Sequence, residues 1–238
     1  SVRNPTVVTA LGSGHELNAL YADIDSTYLY IGVAGNIMPG YRILIFIDSY
    51  QGGYNNARFG RIAAPPGVST LNPDVSFDFD FLADYVLVIG VDSNVYTWYL
   101  YPLSQTGGIN GYLGSADGQN RGAMPIAGSY SETRGFETRL TYSQTGFDPQ
   151  TGIQTQLRVD QPSIKFFGMY ISDAGYMSNQ FIAPAPAAIP DIGNNPISFD
   201  ALSSADPVVF SNFLVINEVD YTQPGGDPAE FVEIKNIT

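Results

Sequence analysis

Apolar residues recur at every second position through most of this chain, and that period belongs to strands rather than helices. From Glu16 to Asp23 the pattern sets Leu17, Ala19 and Tyr21 on one side. Asp25-Ser26 then offers a turn. From Thr27 to Gly35, Leu29, Ile31 and Val33 share one face while Tyr28 and Tyr30 share the other, which predicts a hairpin. From Arg42 to Asp48 both parities are apolar, so this strand is expected at the centre of a sheet, buried on both sides. Further strands are predicted over Ser76–Phe81, Tyr85–Val91, Asn94–Leu103, Gly135–Tyr142, Ile153–Val159 and Ile164–Ser172.

No stretch has a helical pattern. The 25 glycines and 16 prolines fall within every candidate helix. Gly107–Gly128 is Gly/Asn/Ser-rich and predicts a long surface loop. Pro184–Pro196 predicts extended, polyproline-like chain. The expected fold is all-β: an antiparallel β-sandwich, jelly-roll-like, over residues 1–210, followed by a two-strand extension over 211–238.

Composition narrows the function. The net charge of −13 argues against nucleic acid, whose binding requires basic side chains that displace counterions. Anionic membrane surfaces are disfavoured for the same reason. No apolar run is long enough to insert into a bilayer. Only 14% of residues are charged and cysteine is absent, as expected of a secreted or cell-surface protein whose large core needs no disulfides. No signal peptide is visible, and the chain opens at Ser1 without Met, as a processed mature protein or a segment cut from a longer one would.

Catalytic patterns are sparse. His15 is the only histidine and stands beside Gly12-Ser13-Gly14 without a nucleophile elbow, so a structural or exposed role is expected for it. One histidine and no cysteine make no zinc or copper set. Asp78 and Asp80 would stand on one face of a strand, where a solvated face or a bound cation suits them better than glycosidase chemistry. Calcium is the one cofactor the acidic residues can serve. Asp78, Asp80, Asp23 and Asp25 are its candidate ligands, with Asp84, Asp220, Asp227 and Glu230 as further acids. The same Asp-containing dipeptides are ordinary turn chemistry. Glycan stacking has candidate aromatics in Tyr50, Tyr54, Trp98 and Tyr99, with core packing as the competing role. Asn236-Ile237-Thr238 matches a glycosylation sequon.

Two resemblances add to this reading. Gly14–Tyr21, Leu29–Asn36, Ile43–Ser49 with Gly52-Gly53, Ala83-Asp84-Tyr85 and Ser178–Phe181 resemble, in order and spacing, secreted bacterial proteins with a carbohydrate-binding or DOMON-like β-sandwich. Ile216–Tyr221, Pro224-Gly225, Asp227 and Ala229–Ile234 resemble the first two strands of a lamin-tail domain. The first resemblance implies a glycan-binding module. The second implies an immunoglobulin-like sandwich of which only the opening is present.

Two strands cannot bury an apolar face alone. Leu214, Ile216, Val219, Phe231, Val232 and Ile234 therefore need a partner. The chain is then part of a longer protein, or the hairpin folds back on the sandwich, or it adds to a neighbouring molecule's edge. The expected function is a non-catalytic structural or adhesive module that assembles through strand edges, its partners being itself or adjacent domains. The alternative is a glycan-binding module using exposed aromatics.

Overall fold

The computed structural model describes residues 2–3, 15–58, 74–78, 80–92, 95–103, 114–117, 119–121, 135–141, 145–147, 154–159, 163–182, 193–199, 208–211, 214–220 and 231–236. Among them there are strands and no helix. In chain order they are β1 (Val2–Arg3), β2 (Glu16–Ile24), β3 (Tyr28–Asn36), β4 (Tyr41–Asp48), β5 (Asn56–Arg58), β6 (Asp74–Ser76), β7 (Tyr85–Asp92), β8 (Val95–Pro102), β9 (Gly114–Asp117) and β10 (Gln119–Arg121). There follow β11 (Gly135–Thr141), β12 (Thr145–Phe147), β13 (Gln154–Gln156), β14 (Ser163–Ser172), β15 (Met177–Ile182), β16 (Ile197–Ser198), β17 (Val208–Ser211), β18 (Leu214–Asp220) and β19 (Phe231–Asn236).

The strands build two large open antiparallel sheets. The first runs β1-β2-β3-β11-β10. The second runs β15-β14-β4-β7-β8-β9, with β17 pairing along β14 beside β15. A short third sheet, β16-β6-β5, lies against the far side of the second. The second sheet is thus a middle layer, and β4 shows why its sequence demands one. Ile43, Ile45 and Ile47 face the first sheet and meet Leu17, Leu20, Leu29, Ile31 and Val33. Leu44 and Phe46 face the short sheet and meet Val75, Phe77 and Phe81. Each such side chain removed from water stabilises the fold by roughly 1.5–3 kcal/mol. A sheet with two apolar faces therefore requires two covers, as the mixed parity of 42–48 predicts.

The second core is aromatic. Phe77 lies 4.8 Å from Phe46, 5.1 Å from Phe81 and 5.4 Å from Phe167, ring centroid to centroid. Phe199 joins at 4.4 Å from Phe167 and 5.2 Å from Phe181. The Phe77–Phe81 and Phe181–Phe199 pairs are edge-to-face and the others tilted, and edge-to-face pairs contribute beyond the area they bury.

Several expectations are corrected. Ser76–Phe81 is not one strand: β6 ends at Ser76, and a turn follows in which the Phe81 N–H donates to the Asp78 carbonyl at 3.0 Å. Asp78 and Asp80 consequently do not alternate along a strand face. Gly107–Gly128 is not loop throughout, because β9 pairs with β8 and β10 with β11 within it. At the end of β17, Ser211 pairs with Ser163. Of the Pro-rich stretch, residues 184–192 lie outside the described residues, while Gly193 forms a bridge to Met177. Phe79, Asp227 and Glu230 also lie outside the described residues.

Candidate functional site

The four aromatic candidates do not form one platform. Trp98 is 3% exposed and packs between the two large sheets, so it is a core residue and not a sugar-stacking one. Tyr99, one residue on, necessarily points the other way. It is half-buried against the Phe-rich core, 6.5 Å from Tyr101. Tyr54 packs on that same core and its backbone bridges to Ala83. Tyr50 belongs to the opposite core, with the Arg158 guanidinium 4.6 Å from its ring centre and the Tyr85 ring at 5.9 Å.

What joins Tyr50 and Tyr54 is a latch at the end of β4. Asp84 is 1% exposed, and its Oδ2 accepts the backbone N–H groups of Ser49 at 2.8 Å and Tyr50 at 3.0 Å. Asp48 Oδ2 accepts the Leu82 N–H at 3.2 Å. The Ser49 hydroxyl donates to the Arg158 carbonyl at 2.6 Å, and the Arg158 N–H donates to the Tyr85 hydroxyl at 3.0 Å. Burial pushes the Tyr85 phenol well above its ordinary range, so it remains a hydroxyl. Asp84 is thus placed as a backbone clamp, a role that its position among the acidic calcium candidates did not suggest.

Of the carboxylates named for calcium, those of Asp23, Asp25 and Asp80 bond within the chain. Asp25 Oδ1 accepts the Thr27 and Tyr28 N–H groups at 2.6 and 2.7 Å, and Oδ2 accepts the Tyr30 hydroxyl at 2.8 Å. These bonds, the Thr27 one foremost, hold its carboxyl below the usual range and fix the β2–β3 turn. Asp23 Oδ1 accepts the Ile24 N–H at 2.9 Å. The Lys165 ammonium donates to Asp80 Oδ2 at 3.0 Å and also to the Asp80 carbonyl. Asp78 contributes its carbonyl to the turn described above. Among the described residues no three His, Asp or Glu side chains gather to hold a metal ion.

A second buried polar group, which the sequence does not reveal, surrounds His15. Its Nδ1 lies 2.9 Å from the hydroxyl of Tyr170, which is fully buried. The Tyr41 ring sits 4.0 Å from the imidazole. Gln180 spans the gap between β15 and β2: its Oε1 accepts the Leu17 N–H at 2.6 Å and its Nε2 donates to the His15 carbonyl at 3.0 Å. Desolvation lowers the His15 pKa below its ordinary 6.5. The unfolded chain therefore binds a proton there more readily than the folded one. Stability is expected to be full above about pH 6.5 and to fall as pH drops below it, until the folded pKa is passed. Thermal melts from about pH 7.5 to 5 should show this decline in the native chain. His15→Phe, which keeps a ring beside Tyr41, should flatten it. An unchanged slope in that variant would remove His15 as the cause.

The remaining candidate is the terminal hairpin. β18 and β19 hydrogen-bond to each other and form a sheet of their own. Ile216 pairs with Ile234 and Val219 with Val232, and a bulge lies between Ile216 and Glu218. That extra residue matters. Ile216 and Val219 are three positions apart and would fall on opposite faces of a regular strand. The bulge restores them to one face by register, together with Leu214, Val232 and Ile234. Phe231 pairs with Asp220 at the open end of the hairpin.

No family model, no curated protein and no solved structure matches this chain. Among the described residues, no helix is long and apolar enough to cross a membrane.

Proposed function

We propose that the chain is a secreted or cell-surface structural module, without catalytic activity, that assembles with copies of itself or with adjacent domains through strand edges. The observation that carries this reading is the hairpin β18–β19, a separate two-stranded sheet whose bulge collects Leu214, Ile216, Val219, Val232 and Ile234 on one face. A pair of strands is not stable alone, and a third strand or a packing surface completes it. Among the described residues neither of its outer edges is paired with another strand, so both offer backbone donors and acceptors for strand addition. The two large sheets are open as well, ending in β1 and β10 and in β15 and β9. Head-to-tail addition of a hairpin to another molecule's edge does not close on itself, so it builds a chain of molecules. The likeness of Ile216–Ile234 to the start of a lamin-tail domain agrees with a unit that is completed from outside.

Sedimentation velocity across a concentration series tests the reading. The full chain is expected to self-associate, and deletion from Phe213 onward is expected to give a monomer that keeps its melting temperature. A monomeric full chain whose size distribution matches that of the deletion at every concentration would sink the proposal.

A further inference from the structure

The outer edge of β2 is closed by two different devices. β1 pairs with Ala19 and Leu20. Nearer the start of the strand, Gln180 of β15 brings its side-chain amide across from the middle sheet. Its Oε1 accepts the Leu17 N–H at 2.6 Å and its Nε2 donates to the His15 carbonyl at 3.0 Å. A carbonyl and an N–H two residues apart are the two groups through which a strand bonds one residue of a parallel neighbour. The Gln180 amide, with one acceptor and one donor, therefore stands where the peptide groups of an added strand would stand, opposite Glu16. Satisfying two buried backbone groups does not require that one side chain from the other sheet serve both.

We infer that the start of β2 is a strand-acceptor edge which the chain caps itself, and that Gln180 yields this place to the terminal hairpin of a second copy. The inference rests on the assembly reading above and names the edge at which the assembly occurs. A side chain can be withdrawn from an edge at far smaller cost than a paired strand, so a cap of this kind is reversible.

His15 makes the cap sensitive to acid. Its ring lies 4.0 Å from the Tyr41 ring and 5.7 Å from the Tyr170 ring, with Nδ1 2.9 Å from the Tyr170 hydroxyl. The titratable groups that face it are these two phenols, from β4 and β14, and β15 carries no titratable side chain. Glu16, next in the chain, accepts from Asn18 Nδ2 at 3.3 Å. Arg42 follows Tyr41 and so falls on the other face of β4, where it pairs with Asp173 at 3.4 Å. The Tyr41 ring attracts an imidazolium but does not replace its hydration, and desolvation holds the His15 pKa down in the closed seam. In an open seam the imidazole meets water and returns to its ordinary value. As pH falls below about 6.5 the equilibrium therefore moves toward the open seam, and the His15 carbonyl leaves the Gln180 amide together with the ring.

Sedimentation velocity of the full chain at pH 7.5 and pH 5.5 tests this. The native protein is expected to associate at lower concentration at pH 5.5. Gln180→Leu keeps the bulk and removes both bonds, and should associate at pH 7.5 at about tenfold lower concentration than the native chain, the scale of one to two hydrogen bonds. Adding Ile216→Pro, which breaks the hairpin ladder, should undo that gain. Protonated carboxylates also ease repulsion in a chain of net charge −13, so the share of the pH effect that belongs to His15 is the share that His15→Phe removes. In the native protein the Leu17 amide should exchange with solvent faster at pH 5.5 than at pH 7.5 once intrinsic rates are divided out, a measurement that needs no variant to fold. The inference is overturned if that corrected rate is the same at both pH values, or if Gln180→Leu associates no better than the native chain. It is overturned too if the double variant associates as Gln180→Leu does, because the occupant would then not be the hairpin. In each of these cases a native chain that still associates leaves the assembly reading standing. If neither the native chain nor Gln180→Leu associates at either pH, both fall.

Discussion

Replacing Asp84 by Ala is expected to destabilise the fold by about 3–5 kcal/mol, the range seen when a buried charged or multiply bonded group loses its partner. Two backbone N–H groups, buried at Ser49 and part-buried at Tyr50, depend on Asp84 Oδ2. With alanine they face a cavity with no acceptor, and each such orphan costs about 1–3 kcal/mol. The loss propagates, because the Asp84 backbone itself ties β4 to β8: its N–H donates to the Ile47 carbonyl at 2.8 Å and its carbonyl accepts the Leu103 N–H at 2.7 Å. Asp84→Asn retains an oxygen acceptor of the same shape and is expected to cost less than half as much. Urea unfolding of the two variants separates these effects. Equal losses would show that the carboxylate's bonds to 49 and 50 contribute little and that any change at this position is harmful.

The second large effect is expected at Gly53, on the other side of the same latch. Its φ is +87°, a conformation that costs a residue with a Cβ roughly 1–2 kcal/mol. A Cβ there would also come within 2.1 Å of the Leu82 carbonyl oxygen and 2.7 Å of Asp84 Oδ1. The first contact is with backbone, so nothing flexible can yield. Gly53→Ala must therefore push the 50–54 segment off β7's approach and break the Tyr54–Ala83 bridge, whose two bonds are both 3.0 Å. A loss of about 3 kcal/mol or more is expected, combining strain with broken bonds. Gly40 provides the internal control. Its φ is +86° but no atom lies within 4 Å of a Cβ placed there, so Gly40→Ala should show the conformational cost alone. If the two substitutions cost the same, the steric argument at Gly53 fails. Because Gly53 and Asp84 touch, the double variant is expected to lose less than the sum of the singles.

Much of the fold was legible because period-two patterning reports burial directly. The mixed parity of Arg42–Asp48 announced a strand covered on both sides, and the structure places it between two cores. Asp25-Ser26 was readable as a turn because an aspartate can accept the N–H groups that follow it. Ser76–Phe81 misled for a physical reason. In an extended strand Phe77 and Phe81 would share a face but stand about 13 Å apart. A turn brings their rings to 5.1 Å and lets both enter the same aromatic core. Packing outweighs local alternation there. The strands β9 and β10 were invisible because edge strands can be held by backbone bonds, without an apolar stripe.

The sites were less legible than the fold. Parity alone could have told Trp98 from Tyr99, since neighbours on a strand cannot share a surface. The Asp84 clamp and the Gln180 bridge could not be found that way: each joins a side chain to backbone far away in sequence. Tyr28 and Tyr30 were set apart from the apolar face by parity, but Tyr21 was not: simple alternation groups it with Leu17, and the bulge between Leu17 and Ala19 turns it to the exposed side.

The pairing of β4 with β14 has a consequence for how the molecule comes into being. Residues 49–162 separate these neighbours in the middle layer, a long loop to close before either gains from the contact. During synthesis, β4 emerges greasy on both sides and with one flank bare until Ser163–Ser172 arrives. Folding should be slow and finish late, and the waiting polypeptide is the state most in need of a holding chaperone.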